Sequence, residues 1–241
     1  MTALDVLLSS AVLDDGARAG GASGRWYGVY PALVSDIKDP DGQGRVKVKL
    51  PWSPDADGGT FEVWARLATT MAGPNRGTWL VPDPQDEVLV AFEAGDPRRP
   101  YVVGCLWNGS DSPPQSMDGG GQNQLKVLRS RNGVKVTFDD HDGQEKLVLE
   151  TPGGQKATLA DGPGKVVVED SNGNSIKLEA AGVTVTASAK VTVNASTAEI
   201  SAGSLTVNAG MSTFSGVVKA DTVITNSVVS ASYTPGAGNI W

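Results

Sequence analysis

Between residues 183 and 207 the apolar residues recur in pairs: Val183/Val185, Val191/Val193, Ala198/Ile200 and Leu205/Val207, at steps of 8, 7 and 7 residues. The spacers are mostly Thr, Ser, Ala, Asn and Gly. A short repeat of this kind indicates stacked β-structure, because one strand and its turn cannot bury an apolar face alone. From residue 161 to the end there are 13 valines and only 2 leucines, so each rung has little apolar bulk. A single-chain solenoid wants longer coils and larger core residues. Intertwining several chains supplies the missing faces, and three chains are the expectation.

Composition supports an all-β reading. Glycine accounts for 30 of 241 residues, and valine outnumbers leucine 29 to 17, as suits strands joined by many turns. The formal charge of −7 lies wholly in residues 1–180, whereas 181–241 hold only Lys190, Glu199, Lys219 and Asp221. A pI near 4.7 opposes nucleic-acid binding, which needs clustered Lys and Arg. No apolar run approaches the 18 or so residues needed to span a bilayer. Asp5 stands where a signal peptide wants positive charge, so synthesis in the cytoplasm without a signal peptide is expected. Cys105 is the only cysteine and His141 the only histidine. Neither an intrachain disulfide, a Ser-His-Asp triad nor a multi-histidine zinc site is signalled, and no cofactor is expected.

The chain divides into four parts. In residues 1–24, Leu4, Leu7, Leu8 and Val12 have the spacing of a short amphipathic helix, followed by a Gly/Ala tether. Residues 25–109 read as five strands: Val29 to Ile37, Arg45 to Leu50, Phe61 to Leu67, Glu87 to Phe92 and Tyr101 to Leu106. The turn Asp39-Pro40-Asp41-Gly42 joins the first two. Five strands without a helix suit a small closed barrel. Residues 110–124, with Gly119–Gly121, read as a linker. Residues 125–241 alternate short strands with turns such as Asn132-Gly133, Asp142-Gly143, Gly153-Gly154 and Asn172-Gly173.

Residues 25–109 resemble the OB-fold domain of the phage baseplate assembly protein V family, shared by central spikes of contractile tails and by VgrG proteins of type VI secretion. The resemblance rests on six blocks in order. They are Asp39-Pro40-Asp41-Gly42-Gln43-Gly44-Arg45-Val46-Lys47-Val48, Leu50-Pro51-Trp52, Trp64-Ala65-Arg66, Val81-Pro82 with Asp86-Glu87-Val88-Leu89-Val90-Ala91-Phe92, Gly95-Asp96-Pro97-Arg98-Arg99-Pro100, and Val103-Gly104. Residues 125–241 resemble the family's trimeric β-helix in architecture more than in motif. The implied fold is a five-stranded OB barrel followed by an intertwined trimeric β-helix or β-prism needle.

The resemblance implies a non-enzymatic homotrimeric spike, held by a hub at the barrel end and driven mechanically through an envelope, with transient contact with the target membrane. Its place would be the baseplate of a phage or phage-tail-like particle. Only Ser110–Gln124 fills the gap where some spikes insert a lysozyme domain, and about 24 residues precede the barrel, so the hub is expected to be a separate protein. Some short spikes bind iron at the tip through His-x-His; the tail here has no histidine. Either a PAAR-type protein caps the C-terminal end, with Tyr233, Pro235, Ile240 and Trp241 as contacts, or Ile240 and Trp241 from three chains close it. The rival classes are a tail-associated cell-wall hydrolase and a single-stranded nucleic-acid-binding OB protein.

Within the barrel, an arginine–carboxylate pair among Arg45, Arg66, Asp86 and Glu87 would fix strand register; the alternative is surface charge in solvent. Trp52, Phe61, Trp64 and Trp79 read as core residues rather than a base-stacking platform. Asp139-Asp140-His141-Asp142-Gly143 reads as a polar hairpin turn rather than a metal site. Asp36, Asp39 and Asp41 lack the spacing and closing glutamate of a calcium loop.

Overall fold

The structure, a computed structural model, describes residues 24–54 and 58–231. The short helix expected around Leu4 to Val12 and the tip residues Tyr233, Pro235, Ile240 and Trp241 lie outside the described residues.

Five strands close the barrel: β1 (Val29–Asp36), β2 (Val46–Pro54), β3 (Thr60–Leu67), β6 (Glu87–Phe92) and β7 (Pro100–Cys105). A two-stranded hairpin, β4 (Ala72–Gly73) and β5 (Arg76–Gly77), stands between β3 and β6. Barrel order is β1-β2-β3-β7-β6, antiparallel except at the β3–β7 seam, where Arg66 pairs with Tyr101 and Leu67 with Val102 in parallel. Closure leaves no edge strand in the barrel.

Sequence alternation decides which side chains enter the barrel. In β2, Val46, Val48 and Leu50 are buried, whereas Lys47 and Lys49 between them face outward, as a period of two requires. In β6, Val88, Val90 and Phe92 do the same. Trp26, Tyr30, Trp52, Phe61 and Phe92 close one end of the core with ring centroids 4.8–6.3 Å apart. The Trp52 indole donates to the Pro31 carbonyl at 2.9 Å. Trp52 and Phe61 therefore pack as the sequence suggests. Trp64 and Trp79 do not. Ala65 takes the inward position on β3, which turns Trp64 outward beneath Arg45 and Lys47. Trp79 is 75% exposed beside Gly44.

Beyond residues 106–124, which form no strand, seven strands make an antiparallel meander in chain order. They are β8 (Leu125–Arg129), β9 (Lys135–Asp139), β10 (Lys146–Glu150), β11 (Lys156–Ala160), β12 (Lys165–Glu169), β13 (Ser175–Glu179) and β14 (Gly182–Thr186). All seven are five residues long and pair without a register shift. Three hairpins on one edge share a turn in which the fourth residue is a glycine at φ near +90°: Gly133, Gly154 and Gly173. Each donates its N–H to the residue three before it, Ser130, Thr151 and Asp170 respectively. On the other edge the turns stack so closely that a Cβ on Gly162 would meet the Gly143 carbonyl oxygen at 1.8 Å.

Residues 191–241 form a separate unit. Its described part, 191–231, contains no strand and is exposed throughout.

Candidate assembly surface

Register turns the meander into two chemically different faces. Residues directly opposite across antiparallel strands share a face, as do alternate residues along a strand. One row reads Lys126, Phe138, Leu147, Leu159, Val166, Leu178, Val183, and a second row on that face reads Leu128, Val136, Leu149, Ala157, Val168, Ile176, Val185. Lys126, at the barrel-proximal corner, is the single charge among these fourteen positions. The other face carries ion pairs between neighbouring strands: Lys135–Glu150 at 2.6 Å, Lys146–Asp139 at 3.1 Å and Lys156–Glu169 at 3.6 Å.

The apolar face is uncovered in the single chain. Leu149, Leu159, Val168 and Ile176 are between 44 and 51% exposed, rising to 68% at Val183. Backbone pairing within the sheet is already made, so what the face lacks is an apolar partner. Soluble monomers rarely expose an apolar patch of this extent, and such patches mark interaction sites.

The paired apolar positions further along, Val191/Val193, Ala198/Ile200 and Leu205/Val207, sit on chain with no strand pairing of its own. Ile200 and Val193 are exposed at 73 and 74%. There no strand ladder forms among the described residues.

The residues singled out in the barrel fall into four local constructions. Asp39 is the centre of the first. Its carboxylate accepts N–H bonds from Asp41, Gln43 and Arg45 and two more from the Arg45 guanidinium, at 2.6–3.1 Å. Pro40, Gly42 and Gly44 (φ +72°) let the β1–β2 loop wrap around it. Arg45 is thus paired, but to Asp39 and Asp41 in its own loop and not to Asp86 or Glu87. Arg66 is exposed, its guanidinium 5.5 Å above the Tyr101 ring. The expected strand-to-strand pair is therefore replaced by a loop-closing one. A carboxylate six residues upstream reaches the arginine before any partner across the barrel can.

Glu87 begins β6 buried and accepts from the Asn108 amide at 2.8 Å, which ties the exit of β7 to the barrel. Asp86 accepts from the Asp83 N–H across the turn after buried Pro82. In the β6–β7 turn, Asp96 binds the Arg98 N–H and guanidinium, Gly95 is buried against Trp26, and Pro97 and Pro100 bracket the turn. Pro51 and Trp52 lie in β2 and Gly104 in β7. Across the β9–β10 turn His141 bonds to Asp139, and Lys146 also reaches that carboxylate.

These contacts set an acid limit. The Arg45 guanidinium holds the Asp39 carboxyl well below its ordinary 3.8, and His141, then Lys146, lower that of Asp139. Hydrogen bonds from Arg98 and from Asn174 lower Asp96 and Asp170 to about 2. A carboxylate depressed in the folded state contributes stability that is complete above its unfolded pKa and lost as pH falls through the folded one. The melting temperature is expected to be level from pH 7 to about 5 and to fall between about 4 and 2. Thermal melts across that range check this. A decline already complete by pH 5 would contradict it.

Two family models match this chain. The type VI secretion system/phage-baseplate injector OB domain matches residues 30–107, and the phage baseplate V C-terminal trimerisation domain matches residues 146–210. Together they span more than half of the sequence. The chain belongs to the phage baseplate V family. Among curated relatives, the type VI secretion system spike protein VgrG1a of Pseudomonas aeruginosa is 31% identical over 116 residues, covering 45% of this chain and 18% of that protein. The spike protein VgrG3 of Vibrio cholerae is 25% identical over 128 residues, 48% of this chain and 13% of its own length. The actin cross-linking toxin VgrG1 of Vibrio cholerae is 27% identical over 131 residues, 12% of its length. This baseplate V protein thus spans less than a fifth of the length of these relatives. Its trimerisation domain takes in β10 to β14 and the first three apolar pairs beyond them.

Sequence reasoning found the later repeat but missed the apolar face from 125 to 186. The signal was present, since each strand from β9 to β14 places apolar residues at its second and fourth positions.

Proposed function

We propose that the chain is the homotrimeric central spike of a contractile injection system, a non-enzymatic part of a phage tail or phage-tail-like particle. The observation that carries this reading is the continuous apolar face of β8–β14, whose strands β10–β14 lie within the matched trimerisation domain. Three such faces turned inward make a three-sided prism with strands running across each side and turns along the corners. Beyond residue 190 the chains exchange strands, in keeping with apolar pairs that recur on chain without a strand of its own among the described residues.

The design suits mechanical work. Cross-chain ladders give stiffness without an open edge. Small side chains keep the shaft narrow. Only four charges in residues 181–241 keep the desolvation cost of crossing an apolar layer low. In this reading the barrels gather at the base against a separate hub protein, and a PAAR-type protein or the chains' own ends form the tip. Contraction of the particle supplies the force.

Antibody against the chain, applied to contractile particles from the producing cell, tests the placement. Label confined to the baseplate end of the tail axis is expected. Label along the sheath, or particles without the chain, would contradict it.

A further inference from the structure

The meander ends at β14, and the corner beyond it is built differently from those before. On the edge that carries Gly133, Gly154 and Gly173, each turn rests against the next. A Cβ on Gly133 would meet the Pro152 ring at 3.2 Å, one on Gly154 the Ser171 Cβ at 3.1 Å and one on Gly173 the Ser188 Cβ at 3.9 Å. Pro152 and Ser171 are the second residues of their turns, so Ser188 makes Ala187-Ser188-Ala189-Lys190 a fourth level of the same corner. Asn174 holds it there. Its side-chain oxygen accepts the Ser188 N–H at 2.9 Å and the Ser188 hydroxyl at 3.2 Å.

The fourth level cannot turn back as the first three do. Each of those opens on a side chain that bonds the fifth residue. Ser130 and Asp170 accept the N–H of Val134 and Asn174, and the Thr151 hydroxyl donates to the Gln155 side chain. Each also places glycine fourth, at φ of +85 to +90°, where an L side chain is strained. Ala187 has no group to make that bond, and Lys190 stands in the glycine's place. Among the described residues only Asn75, Gln85, Ala94 and Asn123 take a positive φ outside glycine, so Lys190 does not adopt that turn. The apolar pattern slips as well. After the three turns the next apolar residues come six and eight places from the opening residue, as at Ile176 and Leu178 after Asp170. Val191 and Val193 come four and six places after Ala187. A fourth hairpin in the same register would set Ala195 against Val183 and leave Val191 in the turn.

β14 is the last strand of the sheet, so its outer backbone edge carries no ladder among the described residues. Such an edge is a template for a further strand. In a three-sided prism the corner at Ser188 is where one copy's side meets the next, and contacts around a threefold axis are head-to-tail. A chain that passes this corner enters the neighbouring side at its opposite corner, at the level where that copy's β14 closes the sheet. It then runs in the same direction as that β14.

We infer that Val191–Val193 of each copy pairs in parallel with the open edge of β14 in the neighbouring copy, so that strand exchange starts at Lys190. The inference rests on the trimeric reading above and names where the first exchanged strand goes. Val191 and Val193 extend the apolar face past Val183 and Val185, and Thr192 joins Thr184 on the outer side.

Paired cysteines test it. In the full chain carrying Cys105→Ser, Thr184→Cys and Thr192→Cys, a bis-maleimide with an ethylene spacer is expected to join neighbouring chains. Bands of two and three chains then appear on a denaturing gel, and neither cysteine alone produces them. Light scattering of the untreated protein gives its native mass. At a mass of three chains, links within one chain only, no links, or chains joined by one cysteine alone would overturn the pairing and leave the trimer standing. A one-chain mass for the unsubstituted protein would overturn both. Where the cysteine variant does not assemble, hydrogen exchange of the unsubstituted trimer decides. The amides of 191–193 are expected to exchange about a hundred times more slowly than in an unstructured peptide. Exchange at the unstructured rate would overturn the inference.

Discussion

With Leu149→Asp and Ile176→Asp together, the full chain is expected to run as a monomer. Both side chains lie in one row of the apolar face, on β10 and β13, and are 44 and 47% exposed in the single chain. Two strands, β11 and β12, separate them, so the new carboxylates do not oppose each other directly. In one chain they meet water at little cost. In a trimer each would be buried among the faces of two neighbours without a partner, at about 3–5 kcal/mol per charge. Six such groups per trimer amount to roughly 20 kcal/mol, about the ceiling of non-covalent affinity. Light scattering of the variant decides the matter. Lys156→Ser, on the ion-paired face, is the control: its pair with Glu169 spans 3.6 Å at the surface, worth under about 1 kcal/mol. A trimer in the double variant, or its loss in the control, would place the association elsewhere.

The second large effect is expected from truncation. A chain ending at Ser112 keeps the barrel and the Asn108 cap, in which the side chain holds Glu87, Ser110 and Asp111 together. It loses the sheet and the repeat. This fragment should fold, because the buried core of Val34, Val46, Val48, Leu50, Val88 and Val90 is wholly retained. The one ion pair it gives up among the described residues, Asp83–Arg131, is exposed and of small worth. It should nevertheless be a monomer at micromolar concentration, since it lacks the apolar face of β8–β14. A cooperative melt with a one-chain mass is the expected result. A stable trimer of the fragment would show that the barrels, and not the sheet, hold the assembly.

The barrel was legible because its constraints are local. In β2 polar and apolar residues alternate from Val46 to Leu50, β6 is a short apolar run begun by Glu87, and Asp39-Pro40-Asp41-Gly42 punctuates the chain between β1 and β2. All five barrel strands fall within one or two residues of their sequence-based limits, apart from the extension of β2 to Pro54. What could not be read was partner choice. Arg45 has carboxylates at several separations, and only the fold of its loop shows that Asp39 takes it. Trp64 and Trp79 read as core because tryptophan usually does. One is turned outward by the register of β3 and the other is carried out on the hairpin excursion. For residues 125–186 the strands and turns were visible, but their pairing depends on turn geometry that places Gly133, Gly154 and Gly173 at equivalent sites. Beyond residue 190 the repeat itself was the message, since its apolar pairs lie on chain that forms no strand among the described residues.

The native mass of the full chain in solution tests the central claim most directly. Three interwoven chains of 24.9 kDa give about 75 kDa, and strands that must unthread should keep that mass through mild detergent and heating. A mass near 25 kDa at micromolar concentration would contradict the account.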